Sequence, residues 1–134
     1  MTAFHLKIVT PDGLIFDGPA EELLVRTTTG DVAILARHVN FVAPLGMGRA
    51  MVVTNGTRRM AACIGGLLSV VDGEVTLVPT TFEWADKIDL ERAEKAYQRA
   101  DKVLHDQNAT DTDIRLAEAK LRRALIRKNI ASYK

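Results

Sequence analysis

No glycine or proline occurs after residue 79 of this chain. All nine glycines and all four prolines lie within residues 1–79 of a sequence of 134 residues. Both residue types form turns and interrupt helices, so long helices fit best in the part of the chain that lacks them. The distribution predicts two unlike parts, a turn-rich domain over residues 1–82 and a helical domain over residues 83–134.

The first part has the pattern of short β-strands joined by tight turns. Phe4, Leu6 and Ile8 alternate with polar residues, which is the period of a half-buried strand. Asn55-Gly56 and Asp72-Gly73 each separate two apolar runs, and both residues of such a pair accept the positive φ of a hairpin turn. Many short strands linked in this way predict an N-terminal antiparallel β-sandwich or flattened barrel.

The second part carries two apolar stripes at helical spacing. The first stripe contains Ala93, Ala96, Tyr97, Ala100, Val103 and Leu104, and the second contains Ile114, Ala117, Leu121, Ala124 and Leu125. Asp89 is placed to cap the first helix, Thr110 and Asp113 have capping-box spacing, and Thr80–Lys87 is the predicted linker. The chain is therefore predicted to be α+β, with a C-terminal antiparallel two-helix hairpin. Alanine faces bury little area, so this hairpin is expected to be only marginally stable alone.

The sequence lacks the groups that a catalytic site needs. His5, His38 and His105 fall on different predicted elements, and the single cysteine, Cys63, has no histidine near it in sequence. No glycine loop is followed by the Lys-Ser/Thr of a phosphate-binding loop. We predict a non-enzymatic protein without a metal site. The chain shows no apolar run of membrane-spanning length and no secretory signal, so a cytoplasmic location is expected.

Arginines are the informative residues of the helical part. Asp89, Arg92 and Arg99 lie on one side of the first helix, and Arg123 and Arg127 are neighbours at i, i+4 on the second. Residues 111–134 carry seven basic and three acidic side chains. Like charges at helical spacing repel one another unless an anion or carboxylates lie between them. A polyanion such as a nucleotide fits this pattern, and a solvated face with intrahelical ion pairs is the alternative.

Several motifs, in order over the full length, resemble the epsilon subunit of the bacterial F-type ATP synthase. They are Ile8-Val9-Thr10-Pro11-Asp12-Gly13, Gly30-Asp31, Leu35-Ala36-Arg37-His38, Ile64-Gly65-Gly66-Leu67 and Ile88-Asp89-Leu90-Glu91-Arg92-Ala93. The last matches the family's helix-opening I/L-D-x-x-R-A pattern. One departure is clear: the family usually has Pro-Gly before the histidine, and this chain has Ala36-Arg37.

The resemblance implies a non-catalytic central-stalk subunit of a proton-translocating ATP synthase, peripheral on the cytoplasmic face of the bacterial membrane. It implies that the β domain binds the gamma subunit and the c-ring, and that a mobile hairpin reaches the alpha/beta catalytic subunits and inhibits ATP hydrolysis. Membrane association would occur only through the complex. The expected partner contacts are Arg37, His38, Phe41, Arg122 and Lys128.

In some members of that family the folded hairpin binds ATP as a regulatory ligand, with or without magnesium, and no cofactor is required. The matching positions here are Glu83, Ile88, Asp89, Arg92, Ala93, Arg99, Arg123 and Arg127. Binding without hydrolysis is expected because nothing in the sequence is suited to activate water. The alternative is a purely structural stalk protein with permanently docked helices and no ligand. A nucleic-acid-binding module is disfavoured by an aromatic content of 5%.

Overall fold

The computed structural model describes residues 2–133. The chain divides into two compact units, a β unit and a helical unit, with the boundary between Trp84 and Ala85. The first contains eight strands: β1 Phe4–Thr10, β2 Gly13–Ala20, β3 Glu22–Thr27, β4 Gly30–Ile34, β5 Phe41–Pro44, β6 Met47–Thr54, β7 Thr57–Val71 and β8 Glu74–Trp84. The second contains a 3-10 turn, Ala85–Lys87, and two helices, α1 Leu90–Leu104 and α2 Asp111–Ala131. The predicted α+β fold is confirmed.

The two longest strands, β7 and β8, each contribute to both layers of the sandwich. The later part of β7 pairs with β5 and with the start of β8, where β1 and β2 continue the layer. The earlier part of β7 pairs with β6 and with the end of β8, and β3 and β4 complete that layer. One apolar core lies between the layers, and its largest fully buried side chains include Leu6, Ile8, Leu23, Ile34 and Leu68.

Strand β7 turns one face to the core before a pair of glycines, Gly65 and Gly66, and the opposite face after them. On β7 the core residues are Ala61 and Cys63 before the pair but Leu68 and Val70 after it. Gly65 and Gly66 have φ values of 67° and 105°, which only glycine adopts without strain in an extended strand. The register with β8 is kept on both sides, with Ile64 opposite Thr81 and Gly66 opposite Pro79. The two glycines therefore redirect the strand while the register with β8 stays the same, with a single interruption at Gly65.

Two expectations for this unit need correction. Thr80–Lys87 is not a linker, because β8 continues through Trp84 and a 3-10 turn follows it directly. The boundary between the units thus lies after Trp84, whereas the sequence pattern placed it after residue 82. In addition, β1 and β8 pair in parallel, so the sheet is not purely antiparallel. Both predicted hairpin turns are confirmed, with φ of 51° and 74° at Asn55-Gly56 and of 50° and 82° at Asp72-Gly73.

Cys63 is a buried core residue. Only 3% of its surface is exposed, and burial raises the pKa of its thiol to about 12. The thiol is therefore protonated at neutral pH and packs as a small apolar group.

A histidine bridge joins three strands on the outer surface of the sheet. Both ring nitrogens of His5 on β1 lie 2.5 Å from carboxylate oxygens, Nε2 from Asp17 on β2 and Nδ1 from Glu74 on β8. The hydrogen bond to Asp17, the hydrogen bond to Glu74 and the charges of both carboxylates raise the pKa of His5. Lys7, the next outward residue of β1, is the strand partner of Asp17 and adds a positive charge near this carboxylate.

Replacing Gly66 by alanine is predicted to unfold the β unit at much lower denaturant concentration than wild type. A Cβ at this position would lie 2.0 Å from the carbonyl oxygen of Val78 and 2.6 Å from Cα of Pro79, so backbone must move. We expect a loss of at least about 3 kcal/mol in the free energy of unfolding, measured by urea titration. Gly56→Ala is the matched control: its φ is 74° but no atom lies within 4 Å, so a loss of about 1 kcal/mol is expected. Equal losses would contradict the close-approach explanation.

His5 is predicted to make stability depend on pH. Because the pKa of His5 is raised from 6.5 in the folded chain, its contribution is complete below pH 6.5 and is lost as the pH rises through the raised value. Urea unfolding monitored by Trp84, the single tryptophan, should show wild type losing stability over that range and His5→Gln losing less. Glu74→Gln, which removes one carboxylate, should give an intermediate slope. Identical slopes in all three proteins would exclude the bridge as the cause.

Candidate functional site

The N-terminus of α1 is fixed by the side chain of Asp89. Its Oδ1 accepts a hydrogen bond of 3.0 Å from the backbone N–H of Arg92, as the sequence predicts for a helix cap. Ile88 and Ala93 on either side of the cap are 3% and 4% exposed, whereas Asp89 and Arg92 are exposed. The I/L-D-x-x-R-A element is thus the start of a helix with two buried apolar residues and two accessible charged ones.

The second helix begins with the predicted capping box. Thr110 Oγ1 accepts from the Asp113 N–H at 3.1 Å, and Asp113 Oδ2 accepts from the Thr110 N–H at 3.1 Å. These reciprocal bonds satisfy donors that a helix start otherwise leaves without partners. The loop between the helices, residues 105–110, is consequently short and well terminated on both sides.

Small side chains dominate the contact between the helices. Ala100 on α1 and Ala117 and Ala124 on α2 are at most 4% exposed. The second predicted stripe is wrong at one position, because Leu125 is 41% exposed. Alanines permit close approach but remove little apolar surface from water, so the free energy that holds α1 against α2 is small.

A cleft of about 540 Å³ lies along this pair of helices. The described residues that line it include Ala96, Ala100, Val103, Leu116 and Ala117, which form an apolar floor. Its volume lies within the range of about 300–1,000 Å³ typical of ligand pockets. A flat apolar group therefore has both room and a suitable surface here.

Three of the four arginines predicted to bind ATP line this cleft. Arg99, Arg123 and Arg127 all line it, so the structure brings together basic side chains from both helices. Among the described residues, Ile88, Asp89, Arg92 and Ala93 lie outside the lining, at the start of α1. Glu83 lies on β8, in the first unit. Whether these five contact the same ligand stays a prediction.

Lys120 is a fourth basic residue of the cleft, and it was not predicted. The signal was present in the sequence, because Lys120, Arg123 and Arg127 follow one another at i, i+3 and i+7 and therefore share a helix face. The opposite end of the lining contains Asp106 and Asp113. The cleft is thus charge-polarised along its length, with cations able to attract phosphate oxygens at one end and carboxylates that repel them at the other.

The predicted partner-contact residues fall into two groups. In the β unit, Arg37 is exposed with a φ of 65°, in the loop position where the resembling family has glycine. His38 and Phe41 contact each other edge to face at a centroid distance of 5.8 Å, and His38 Nδ1 lies 2.7 Å from the carbonyl oxygen of Val39. The loop therefore presents an exposed arginine that is close in sequence to an aromatic pair.

In the helical unit the two predicted contact residues differ in accessibility. Arg122 is exposed on α2. Lys128 instead has its Nζ 3.0 Å from Glu94 Oε2 and 4.3 Å from the centroid of the Tyr97 ring. Lys128 is therefore held by α1 in this conformation.

Residues 2–133, the described part of the chain, show neither a cluster of metal-ligating side chains nor a membrane-spanning helix. Within that range no group of three or more His, Cys, Asp or Glu side chains is arranged to hold a metal ion. None of the helices in the described part of the chain is long and apolar enough to cross a membrane.

Comparison with protein families gives matches over nearly the whole chain. The β-sandwich domain of the ATP synthase delta/epsilon chain matches residues 3–85, and the long α-helix domain of the same chain matches residues 86–132. The ATP synthase epsilon chain of Bacillus pumilus is 39% identical over 131 residues and 98% of each chain. That of Ruminococcus albus is 37% identical over the full length of both chains.

Solved structures support the fold. A chain of the Euglena gracilis mitochondrial ATP synthase, described as OSCP/F1/c-ring, superposes with a TM-score of 0.84 over 100% of this chain and 83% of its own, at 23% identity. A chain of the Tetrahymena thermophila mitochondrial central stalk and c-ring gives a TM-score of 0.60 at 14% identity, covering 95% of each.

Proposed function

Because this chain belongs to the family of ATP synthase delta/epsilon chains and is a non-catalytic subunit of the central stalk, we propose that its helical unit is a regulatory switch that binds ATP without hydrolysing it. In this proposal the closed hairpin binds ATP, and the opened hairpin inhibits ATP hydrolysis by the complex. ATP shifts the population toward the closed form to the extent that it binds that form better.

The observation that carries the ATP-binding proposal is the convergence of basic residues from both helices on one cleft. Arg99 comes from α1, and Lys120, Arg123 and Arg127 come from α2, so a bound anion would tie the helices together. Guanidinium groups donate paired hydrogen bonds to phosphate oxygens, and the alanine floor suits a purine ring. The exposed Asp89 and Arg92 at the start of α1 are proposed as further contacts, together with Glu83, Ile88 and Ala93. ATP is the regulatory ligand in this proposal, with or without magnesium, and no cofactor is required.

The proposed partners are the gamma subunit and the c-ring for the β unit, and the alpha/beta catalytic subunits for the opened hairpin. The exposed Arg37 and the aromatic pair His38–Phe41 support a contact at that loop, because a cation beside aromatic rings suits a protein interface. The basic α2, with Arg122 exposed, supports an acidic counterpart. Through these contacts the chain would be peripheral on the cytoplasmic face of the membrane, in a complex that couples proton flow to ATP synthesis.

ATP is predicted to bind the isolated chain, and the cleft arginines are predicted to be required. Arg123→Ala should weaken binding about tenfold, since a charge-assisted hydrogen bond to phosphate contributes about 1.5–3 kcal/mol before screening by solvent. Isothermal titration calorimetry with ATP measures this directly. Arg115→Ala is the matched control: it removes the same charge from an exposed site on α2 outside the described lining of the cleft, and should leave the affinity unchanged. No heat at millimolar ATP, or equal effects of both substitutions, would refute ATP binding in the cleft.

Removal of the hairpin separates a switch from a permanently docked structural element. A chain that ends after Trp84 retains all of β8 and the core contacts of Phe82. In the assembled ATP synthase this truncation is predicted to raise ATP hydrolysis, because the inhibitory element is gone, while the subunit remains in the complex. Steady-state ATP hydrolysis and the subunit composition of the purified complex are the measurements. An unchanged rate with the truncated subunit present would favour the structural alternative.

A further inference from the structure

Lys128 is held at two points by the neighbouring helix. Its Nζ lies 3.0 Å from Oε2 of Glu94 and 4.3 Å from the ring centroid of Tyr97. Only 26% of its side chain is exposed, against 43% for Glu94. A lysine usually keeps its ammonium group in water, so a charge paired and covered in this way marks a specific contact.

The positions of the two α1 residues explain why they act together. Glu94 and Tyr97 are three residues apart and therefore lie on the same face of α1, one turn from each other. The carboxylate attracts the ammonium group, and the face of the phenol ring attracts it as well. One lysine from α2 thus satisfies two complementary groups at once.

This contact differs in kind from other ion pairs of the helical unit. Lys95 with Glu91, at 3.2 Å, joins positions four residues apart on α1. Such pairs persist when the helices separate. The Glu94–Lys128 pair joins α1 to α2 and exists only while the hairpin is closed.

The surrounding contacts are weak enough for this one to matter. Of the six buried residues in the described parts of α1 and α2, five are alanines with very short side chains, and Ile130 is the larger one. An ion pair with an aromatic contact is then a considerable part of what holds the closed state.

From these observations we propose that Glu94 and Tyr97 form an internal binding site for Lys128 that competes with an acidic surface of a partner protein for the same lysine. The proposal rests on the proposed switch. In the closed hairpin Glu94 takes the place of a partner carboxylate, and opening releases Lys128 with its charge available. A partner must therefore displace Glu94 before it can bind Lys128, which opposes premature opening.

Hydrogen exchange of the full chain without ATP tests the contact. In Glu94→Gln, the amides of residues 123–131 should exchange about two- to fivefold faster. Opening becomes easier when a partly exposed ion pair and its ordered lysine are lost, and α2 without its packing partner is only marginally stable, so its own hydrogen bonds break more often. Glu91→Gln is the matched control, with the same charge change on the same helix but an intrahelical partner. Equal rates in the two variants would overturn the proposal.

A double-variant cycle distinguishes loss of the direct Glu94–Lys128 contact from general destabilisation of the hairpin. Lys128→Gln and Tyr97→Leu should each speed exchange, and Glu94→Gln with Lys128→Gln together should add little to either alone. The charge-exchanged pair Glu94→Lys with Lys128→Glu should recover part of the protection. Additive effects, or no recovery with helix content intact by circular dichroism, would refute direct pairing as the cause.

Repeating the hydrogen-exchange experiment with ATP distinguishes failure of this inference from failure of the proposed function on which it rests. If ATP does not slow exchange in wild type, the ATP-sensing proposal fails, yet a difference between Glu94→Gln and Glu91→Gln still supports the internal site. If ATP protects wild type and the two variants exchange alike, the internal site is wrong and the ATP-sensing switch stands.

Discussion

The approach of Gly66 to the backbone of Val78 and Pro79 allows one pair of strands to serve both layers of the sandwich. No side chain fits between the strands at this point, and the φ of 105° suits glycine alone. Because the register of β7 with β8 is the same on both sides of the glycines, the two strands together change the face that they present to the core. The core residues of β1, β3 and β6 then meet across a single interior, which a flat sheet of these strands would leave exposed to water.

Features that depend on a few adjacent residues could be predicted from the sequence. The hairpins at Asn55-Gly56 and Asp72-Gly73, the Asp89 cap and the Thr110 capping box each follow from local chemistry. The parallel pairing of β1 with β8 could not, because it joins residues about 70 positions apart and no turn specifies it. The extension of β8 through Trp84 was missed although Thr80, Thr81, Phe82 and Trp84 are residue types that favour strands. Proline is rare inside strands and Pro79 precedes them, but pairing with β7 continues past it.

The candidate site shows the same division between local and long-range information. Spacing along α2 groups Lys120, Arg123 and Arg127 on one face, so even the residue that was missed had a signal. Which residues of α1 stand opposite them depends on how the two helices are aligned along their axes, and alanine stripes specify that alignment poorly because they repeat at several offsets. For this reason the positions of Arg99 in the cleft and of Glu94 beside Lys128 required the structure.

In a hairpin that packs through alanine, charged side chains contribute comparatively more to the free energy of the closed form. Each methyl group buried between the helices contributes at most about 0.8 kcal/mol, so no single apolar contact fixes the closed state. The basic residues of α2 that line the cleft repel one another, and closure gathers them with Arg99. Lys128, which lies outside the described lining of the cleft, is paired with Glu94, and in the proposed function an anion would reduce the repulsion among the cleft residues. In the proposed switch, an anion in the cleft would therefore favour the closed form, and a partner with carboxylates would favour the open form by competing for the same cations.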